Sequence, residues 1–172
     1  MIEPRPERPA DGEGGAPLIR ILVSACLVGE PVRFDGRDKF QSDPRWTRWR
    51  AEGRLVPFCP EVAGGLPVPR PPAEIQPSGR VVDDQGVDRT EAFRRGADAA
   101  LRAAREAGCA LAILKEGSPS CGVNRIYDGS FSKVALPGRG MATALLAKHG
   151  LAVFSEAELD AAEARLRELE GV

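Results

Sequence analysis

The chain has few of the features that define several common protein classes. It contains one histidine among 172 residues, and 24 Lys and Arg residues almost balance 25 Asp and Glu residues. The resulting formal net charge of -1 gives no strong basic field to attract nucleic acid. No apolar run approaches the ~18 residues that a membrane span needs. We therefore expect neither a nucleic-acid partner nor membrane association.

Familiar cysteine pairs and export signals are also missing. None of the four cysteines belongs to a Cys-x-x-Cys pair, which argues against zinc ribbons and thioredoxin-like redox sites. The N-terminal segment lacks the apolar core of a secretory signal, so the cytoplasm is the expected location. Cysteines there are more often ligands or catalysts than disulfides. Residues 1–18, rich in proline and glycine, are expected to form a disordered leader, and residues 19–172 a single domain.

Short apolar runs alternate with amphipathic segments after this leader. Strands are predicted at 20–25, 54–58, 110–114 and 151–154. Helices are predicted at 44–52, 91–107, 138–148 and from Ser155 to about Leu169, with Ser42, Thr90 and Ser155 as N-caps. A small hairpin is expected where valines flank residues 83–86. This order predicts an α/β fold, a single-domain, mainly parallel, Rossmann-like sheet with flanking helices and a hairpin insertion.

Three of the cysteines follow predicted strands. Cys26, Cys59 and Cys121 come after the first, second and third strands, whereas Cys109 precedes the third. In open α/β sheets ligands bind beyond the carboxyl ends of the strands, so the three thiols are expected to converge and Cys109 to lie at the far end. Convergent thiolates would suit a metal or iron–sulfur centre with one open coordination position. From spacing and composition alone, such cysteines are more often small buried apolar residues, and it is their position after the strands that favours the ligand interpretation.

The motifs around these three cysteines allow a comparison with a known family. They are Ser-Ala-Cys-Leu-Val-Gly at 24–29, Cys-Pro-Glu at 59–61 within 55–70, and Lys-Glu-Gly-Ser-Pro-Ser-Cys-Gly at 115–122. Arg-Phe-Asp-Gly at 33–36 and Pro-Arg-Pro-Pro-Ala-Glu at 69–74 accompany them. Over roughly residues 20–150 the chain resembles the thiouracil desulfidase (TudS-like) family.

The resemblance implies a cofactor, a substrate and a set of site residues. The family holds a [4Fe–4S] cluster with three cysteines, which correspond here to Cys26, Cys59 and Cys121. The iron without a protein ligand would act as a Lewis acid on the sulfur of a thiolated pyrimidine such as 2-thiouracil, which leaves as hydrosulfide. The catalytic pair would be Glu61, taking a proton from water, and Ser118, relaying a proton or hydrogen-bonding the ring.

Other interpretations of the same residues are available. Cys121 could be the nucleophile of a cysteine-dependent transferase or hydrolase, although the only histidine, His149, is remote in sequence. The chain could also be a non-catalytic cluster-binding module. From the residues alone, Glu61 could be an ordinary loop carboxylate and Ser118 a turn residue.

Overall fold

The computed structural model describes residues 18–172. The predicted disordered leader lies outside the described residues, apart from its last residue. In chain order the elements are β1 (Arg20–Ser24), a 3-10 helix (Ala25–Val28), α1 (Pro44–Ala51), β2 (Leu55–Phe58), α2 (Pro60–Ala63), β3 (Ala73–Ile75), β4 (Val81–Asp83), α3 (Thr90–Ala107), β5 (Cys109–Leu114), β6 (Arg125–Tyr127), β7 (Ala135–Pro137), α4 (Met141–Lys148), β8 (Ala152–Ser155) and α5 (Leu159–Glu170).

The central sheet has four parallel strands in the order β2-β1-β5-β8. These are the four predicted strands, with ends that differ by one residue, and the prediction of a parallel α/β sheet is confirmed. The direction in which successive strands are added to the sheet reverses at β1. The next strand, β2, lies on one side of β1, and the later strands β5 and β8 lie on the other side. Such a switch point is where open α/β sheets form their binding crevice.

Helices cover both faces of this sheet. Alternate residues of β1 supply the two cores, since Ile21 and Val23 pack with α1 and α5, whereas Leu22 packs with α3 and α4. Trp46 and Trp49 of α1 are buried and meet edge to face with ring centroids 5.6 Å apart. Within residues 18–172 no helix combines the length and apolar character required to cross a bilayer.

The predicted helix caps are wrong, although the helices themselves are present. Asp43 rather than Ser42 caps α1, accepting a hydrogen bond from the backbone N–H of Arg45. Thr90 is the first residue of α3, and its hydroxyl accepts the Val81 N–H instead. The residues directly before α3 and α5, Arg89 and Glu158, make no capping side-chain hydrogen bond. Several polar residues lie within one turn of each helix start, and a sequence pattern locates helix ends only to within one or two residues.

The last two helices also begin later than predicted. Glu158 precedes α5, and Ser155 accepts an N–H from Ala157 in the turn before it. The fourth helix starts at Met141, because the preceding Gly140 is extended and packs closely on the Ser120 backbone.

Short irregular elements were not predicted. The turn at 83–86 exists, with the Asp83 N–H bonded to the Val87 carbonyl, but the longer ladder pairs β3 with β4 across residues 76–80. The β6–β7 hairpin and the four-residue α2 were missed. Elements of three or four residues, interrupted by proline and glycine, carry too little periodicity to be recognised.

Helix α2 lies against α3 with almost no space between their backbones. A Cβ atom on Gly96 would stand 2.0 Å from the Pro60 carbonyl oxygen, and one on Gly64 would stand 2.1 Å from the Ala92 carbonyl oxygen. Both glycines have φ values that any residue can adopt, so the constraint is space. This contact holds the segment that carries Cys59 and Glu61 onto the sheet.

Gly96→Ala is therefore expected to destabilise the protein, although alanine is the better helix former by about 1 kcal/mol. Separating two backbones should cost about 2–3 kcal/mol, as overpacked cores do. Thermal unfolding would show a melting temperature lower by several degrees, whereas Asp98→Ala, at an exposed site of the same helix, should change little. A melting temperature raised by Gly96→Ala would contradict the close contact.

Candidate active site

A cavity of about 560 Å³ opens beyond the carboxyl ends of β1, β2 and β5. Its wall includes all five residues that the sequence singled out: Cys26, Cys59, Cys121, Glu61 and Ser118. They come from three loops that are far apart in the chain and meet at the switch point of the sheet.

Each thiol is placed by the element that precedes it. Cys26 lies in the 3-10 helix after β1, and its carbonyl accepts the Lys39 N–H at 2.8 Å. Cys59 lies between β2 and α2, as the residue that precedes α2, with its thiol 3.9 Å from the Val32 carbonyl oxygen. Cys121 lies in the loop after β5 and is buried.

Burial makes these thiols weak acids. It raises the pKa of Cys26 to about 11 and that of Cys121 to about 12, and it also raises the pKa of Cys59. The charge of a neighbouring Cys59 thiolate adds to the rise in pKa at both other thiols. Such a group of thiolates becomes favourable when a cation binds, since metal ligation requires the deprotonated form.

Glu61 and Ser118 are connected through a residue that sequence reasoning missed. The Ser120 hydroxyl donates to Glu61 Oε2 at 2.9 Å and lies 2.9 Å from Ser118 Oγ. It is only 1 % exposed and also lies 3.7 Å from the Cys121 sulfur. The two serines flank Pro119, and that spacing is the only sequence signal that could have indicated a shared role.

The other oxygen of Glu61 is held by Arg70. Arg70 Nε donates to Glu61 Oε1 at 3.2 Å, and the arginine side chain is 4 % exposed. Its remaining nitrogens donate to the carbonyls of Pro67, at 3.1 Å, and Val32, at 2.9 Å. Arg70 thus has a specific role. It orients the Glu61 carboxylate and ties two loops to it.

Glu116 organises the loop that carries Cys121. Its Oε1 accepts backbone N–H groups from Val123 at 2.8 Å, Asn124 at 2.9 Å and Arg125 at 3.1 Å. The residue is 5 % exposed. A buried carboxylate therefore replaces the backbone pairing that this irregular segment lacks.

Lys115 belongs to the same network. Its ammonium lies 2.9 Å from Glu156 Oε1, and Glu156 Oε2 accepts the Glu116 N–H at 2.8 Å. The Lys115 charge lowers the pKa of Cys26, but the effect of burial is larger. The ion pair fastens the end of β5 to the loop after β8.

Two residues lie away from the cavity. Cys109 is the first residue of β5, at the end of the strand opposite the site, and burial raises its pKa to about 11. His149 caps the C-terminus of α4, where its Nδ1 lies 3.1 Å from an Arg105 guanidinium nitrogen. Neither side chain lines the cavity.

The donor set fits an iron–sulfur cluster better than a single metal ion. Among residues 18–172 no three His, Cys, Asp or Glu side chains are arranged around one ion. In a cluster each thiolate binds a different iron, so ligands on separate loops around a wide cavity are suitable. Three sulfur donors without an imidazole also favour iron–sulfur chemistry over magnesium or calcium.

Fold and site together define an α/β protein whose parallel sheet, flanked by helices, carries a thiol-lined cavity at its switch point. The sequence model of the 2-thiouracil desulfurase family matches residues 21–158. The uncharacterized protein YbbK of Bacillus subtilis (strain 168) is 39 % identical over 149 residues, which cover 81 % of this chain and 97 % of YbbK. The chain belongs to the 2-thiouracil desulfurase family, and the resemblance predicted from its motifs is confirmed.

A solved structure agrees with this assignment. The [4Fe-4S]-dependent thiouracil desulfidase TudS superposes with a TM-score of 0.84 and is 51 % identical, with 86 % of this chain and 97 % of TudS covered. The predicted fold class is confirmed by the same comparison.

Glu116→Gln tests the role of the buried carboxylate. Burial raises the pKa of Glu116, but the N–H groups of Asn124, Arg125 and Val123 together outweigh it and leave the pKa below its ordinary value of 4.5. Because the pKa of this carboxyl group is lower in the folded than in the unfolded protein, its ionisation stabilises the folded state at pH values above the ordinary pKa. This stabilisation is lost as the pH falls through the pKa of the folded state. The variant should lose about 2 kcal/mol of unfolding free energy at neutral pH.

Urea unfolding of wild type, Glu116→Gln and the exposed-site control Glu106→Gln would measure this effect. The difference between wild type and Glu116→Gln should shrink as the pH is lowered from neutral to about 3. A difference that is constant with pH, or equal in both variants, would contradict the assignment.

Proposed function

We propose that this protein is a [4Fe–4S]-dependent desulfidase that removes sulfur from thiolated pyrimidines such as 2-thiouracil. The observation that carries the proposal is the convergence of Cys26, Cys59 and Cys121 on one cavity wall with Glu61 and Ser118. Membership of the 2-thiouracil desulfurase family and the likeness to TudS support it. The substrate would be a small molecule, and the reducing cytoplasm would suit free thiolate ligands.

The three cavity cysteines would hold the cluster, and no fourth cysteine is available there because Cys109 lies outside the cavity. Held by these three thiolates, a cluster would have one iron without a protein ligand and would supply Lewis-acid chemistry suited to a soft thiocarbonyl sulfur.

Glu61 would act as the base toward water. Arg70 holds Oε1 and Ser120 holds Oε2, so each oxygen keeps a lone pair for a further partner in the cavity. Water would give one proton to Glu61 while its oxygen adds to the ring carbon; as the carbon–sulfur bond then breaks and the C=O bond forms, the second water proton would pass to the sulfur, which leaves as hydrosulfide. The reaction is a net hydrolysis that releases hydrosulfide, so no electron has to be supplied.

Ser118 would be the end of a directed chain of hydrogen bonds. Its Oγ accepts the N–H groups of Ser120, at 3.1 Å, and Cys121, at 3.0 Å, which use its lone pairs. Its own proton is then free to point to Ser120 Oγ, which donates onward to Glu61. The same proton could instead turn to a substrate ring atom, as a relay requires.

A thiol nucleophile is less well supported. The Cys121 thiol is buried, with a pKa of about 12, and His149 pairs with Arg105 outside the cavity. Without a base or a bound cation, little thiolate would form at neutral pH.

Alanine variants of the cysteines test the ligand set. Protein purified or reconstituted without oxygen should bind about four iron ions per chain and show visible absorbance. Cys26→Ala, Cys59→Ala and Cys121→Ala should each lose the iron and the turnover of 2-thiouracil, whereas Cys109→Ala should keep both. Equal dependence on Cys109, or no iron in the wild type, would refute the three-ligand cluster.

Variants of the acid–base residues test the catalytic assignment separately. Glu61→Gln keeps an oxygen for Ser120 or Arg70 but removes the base, so kcat for 2-thiouracil should fall about 10²–10⁴-fold. Ser118→Ala should also lower kcat. The matched control is Glu106→Gln, the same substitution at an exposed carboxylate outside the cavity. Full activity of Glu61→Gln with its cluster intact would rule out Glu61 as the base.

A further inference from the structure

The β6–β7 hairpin is fastened to β3 beside the cavity. Glu74 Oε1 accepts the N–H of Gly129 at 3.0 Å and that of Phe131 at 3.2 Å. Gln76 Nε2 donates to the Gly129 carbonyl at 3.1 Å. Gly129 has φ 94°, and a Cβ there would lie 3.1 Å from the Ile75 carbonyl oxygen, so the hairpin loop approaches β3 as closely as its backbone allows.

Two residues of this loop adopt a backbone conformation that is uncommon for their type. Phe131 has φ 57° and Lys133 has φ 59°, and these are the non-glycine residues of positive φ within the described range 18–172. Both of them line the cavity. A bulky residue in the left-handed region costs about 1 kcal/mol or more and persists where the surroundings hold it, most often at functional sites.

Aromatic side chains contribute to the lining of the cavity. Four line it: Phe34, Phe58, Tyr127 and Phe131. Tyr127 and Phe131 both belong to the β6–β7 hairpin segment, and 40 % and 36 % of their surfaces remain exposed. In a chain with only six phenylalanines and one tyrosine, the hairpin thus contributes open ring surface to the cavity that the three thiols also line. A planar heteroaromatic ring binds such a surface by stacking.

We propose that Phe131 is a specificity-determining residue that stacks on the pyrimidine ring of the substrate, and that Glu74 is the positioning residue that holds it there. The inference rests on the proposed function and deepens it, because it assigns ring recognition to a hairpin that none of the cysteine motifs includes. Glu74 acts through the two N–H groups it accepts, which set the left-handed conformation of Phe131.

The test compares Phe131→Asn with Phe131→Tyr in the full chain carrying its cluster. Asparagine tolerates the left-handed backbone but has no ring, whereas tyrosine keeps the ring. The control is Phe40→Asn, the same substitution at an exposed phenylalanine outside the cavity. Steady-state kinetics with 2-thiouracil separate KM from kcat, and calorimetric titration with uracil measures ring binding without turnover.

Phe131→Asn should raise KM and weaken uracil binding about tenfold with kcat nearly unchanged, a loss in the range of base–aromatic stacking. Phe131→Tyr and Phe40→Asn should match the wild type. Glu74→Ala should weaken uracil binding as well, and combining it with Phe131→Asn should add little, since both remove one interaction.

Unchanged uracil affinity in Phe131→Asn, or an equal loss in Phe40→Asn, would overturn the inference. Additive losses in the double variant would overturn the role of Glu74. A wild-type protein that binds its cluster but does not desulfurise 2-thiouracil would instead refute the proposed function, and the uracil titrations would still decide whether Phe131 stacks on the ring.

Discussion

The parallel pairing of β1 with β2 on one side and β5 on the other is the constraint on which the site depends. Ser24 at the end of β1 stands opposite Phe58 at the end of β2, and the Lys115 N–H after β5 bonds to the Ser24 hydroxyl at 2.9 Å. The three chain segments therefore leave the sheet at one edge, and their cysteines follow. A slip of one residue would turn the side chains of β1 to the opposite core, so the two packed faces fix this register.

Beyond the strands, buried charges take over the role of the backbone ladder. Glu116 satisfies a row of N–H groups in the Cys121 loop, and Arg70 satisfies two carbonyls while holding Glu61. Each of these charges is almost removed from solvent and is fully partnered, which makes its loss expensive and its geometry well defined. The same burial that orders the loops makes unligated thiolates unfavourable. It therefore favours the binding of a cation to them.

The agreement between sequence and structure was greatest for elements with a strong local pattern. Apolar runs identified all four strands of the parallel sheet, and the cysteines after them identified the cavity. Caps were misassigned because neighbouring polar residues compete within one turn, as Ser42 and Asp43 do before α1. Ser120 and Glu116 were missed because a serine in a turn and a carboxylate after a strand look ordinary until their distant partners are known.

By itself the sequence determined the order of strands and helices, the placement of three thiols after strands, and motifs specific enough to indicate the family. Only the tertiary structure decided that Ser120 joins Ser118 to Glu61, that Arg70 holds the same carboxylate, and that Glu74 fastens a hairpin beside the thiols. The physical reason is that hydrophobic periodicity acts between residues a few positions apart, whereas these contacts join segments up to 59 positions apart, as from Glu61 to Ser120. Packing of the whole chain sets their distances.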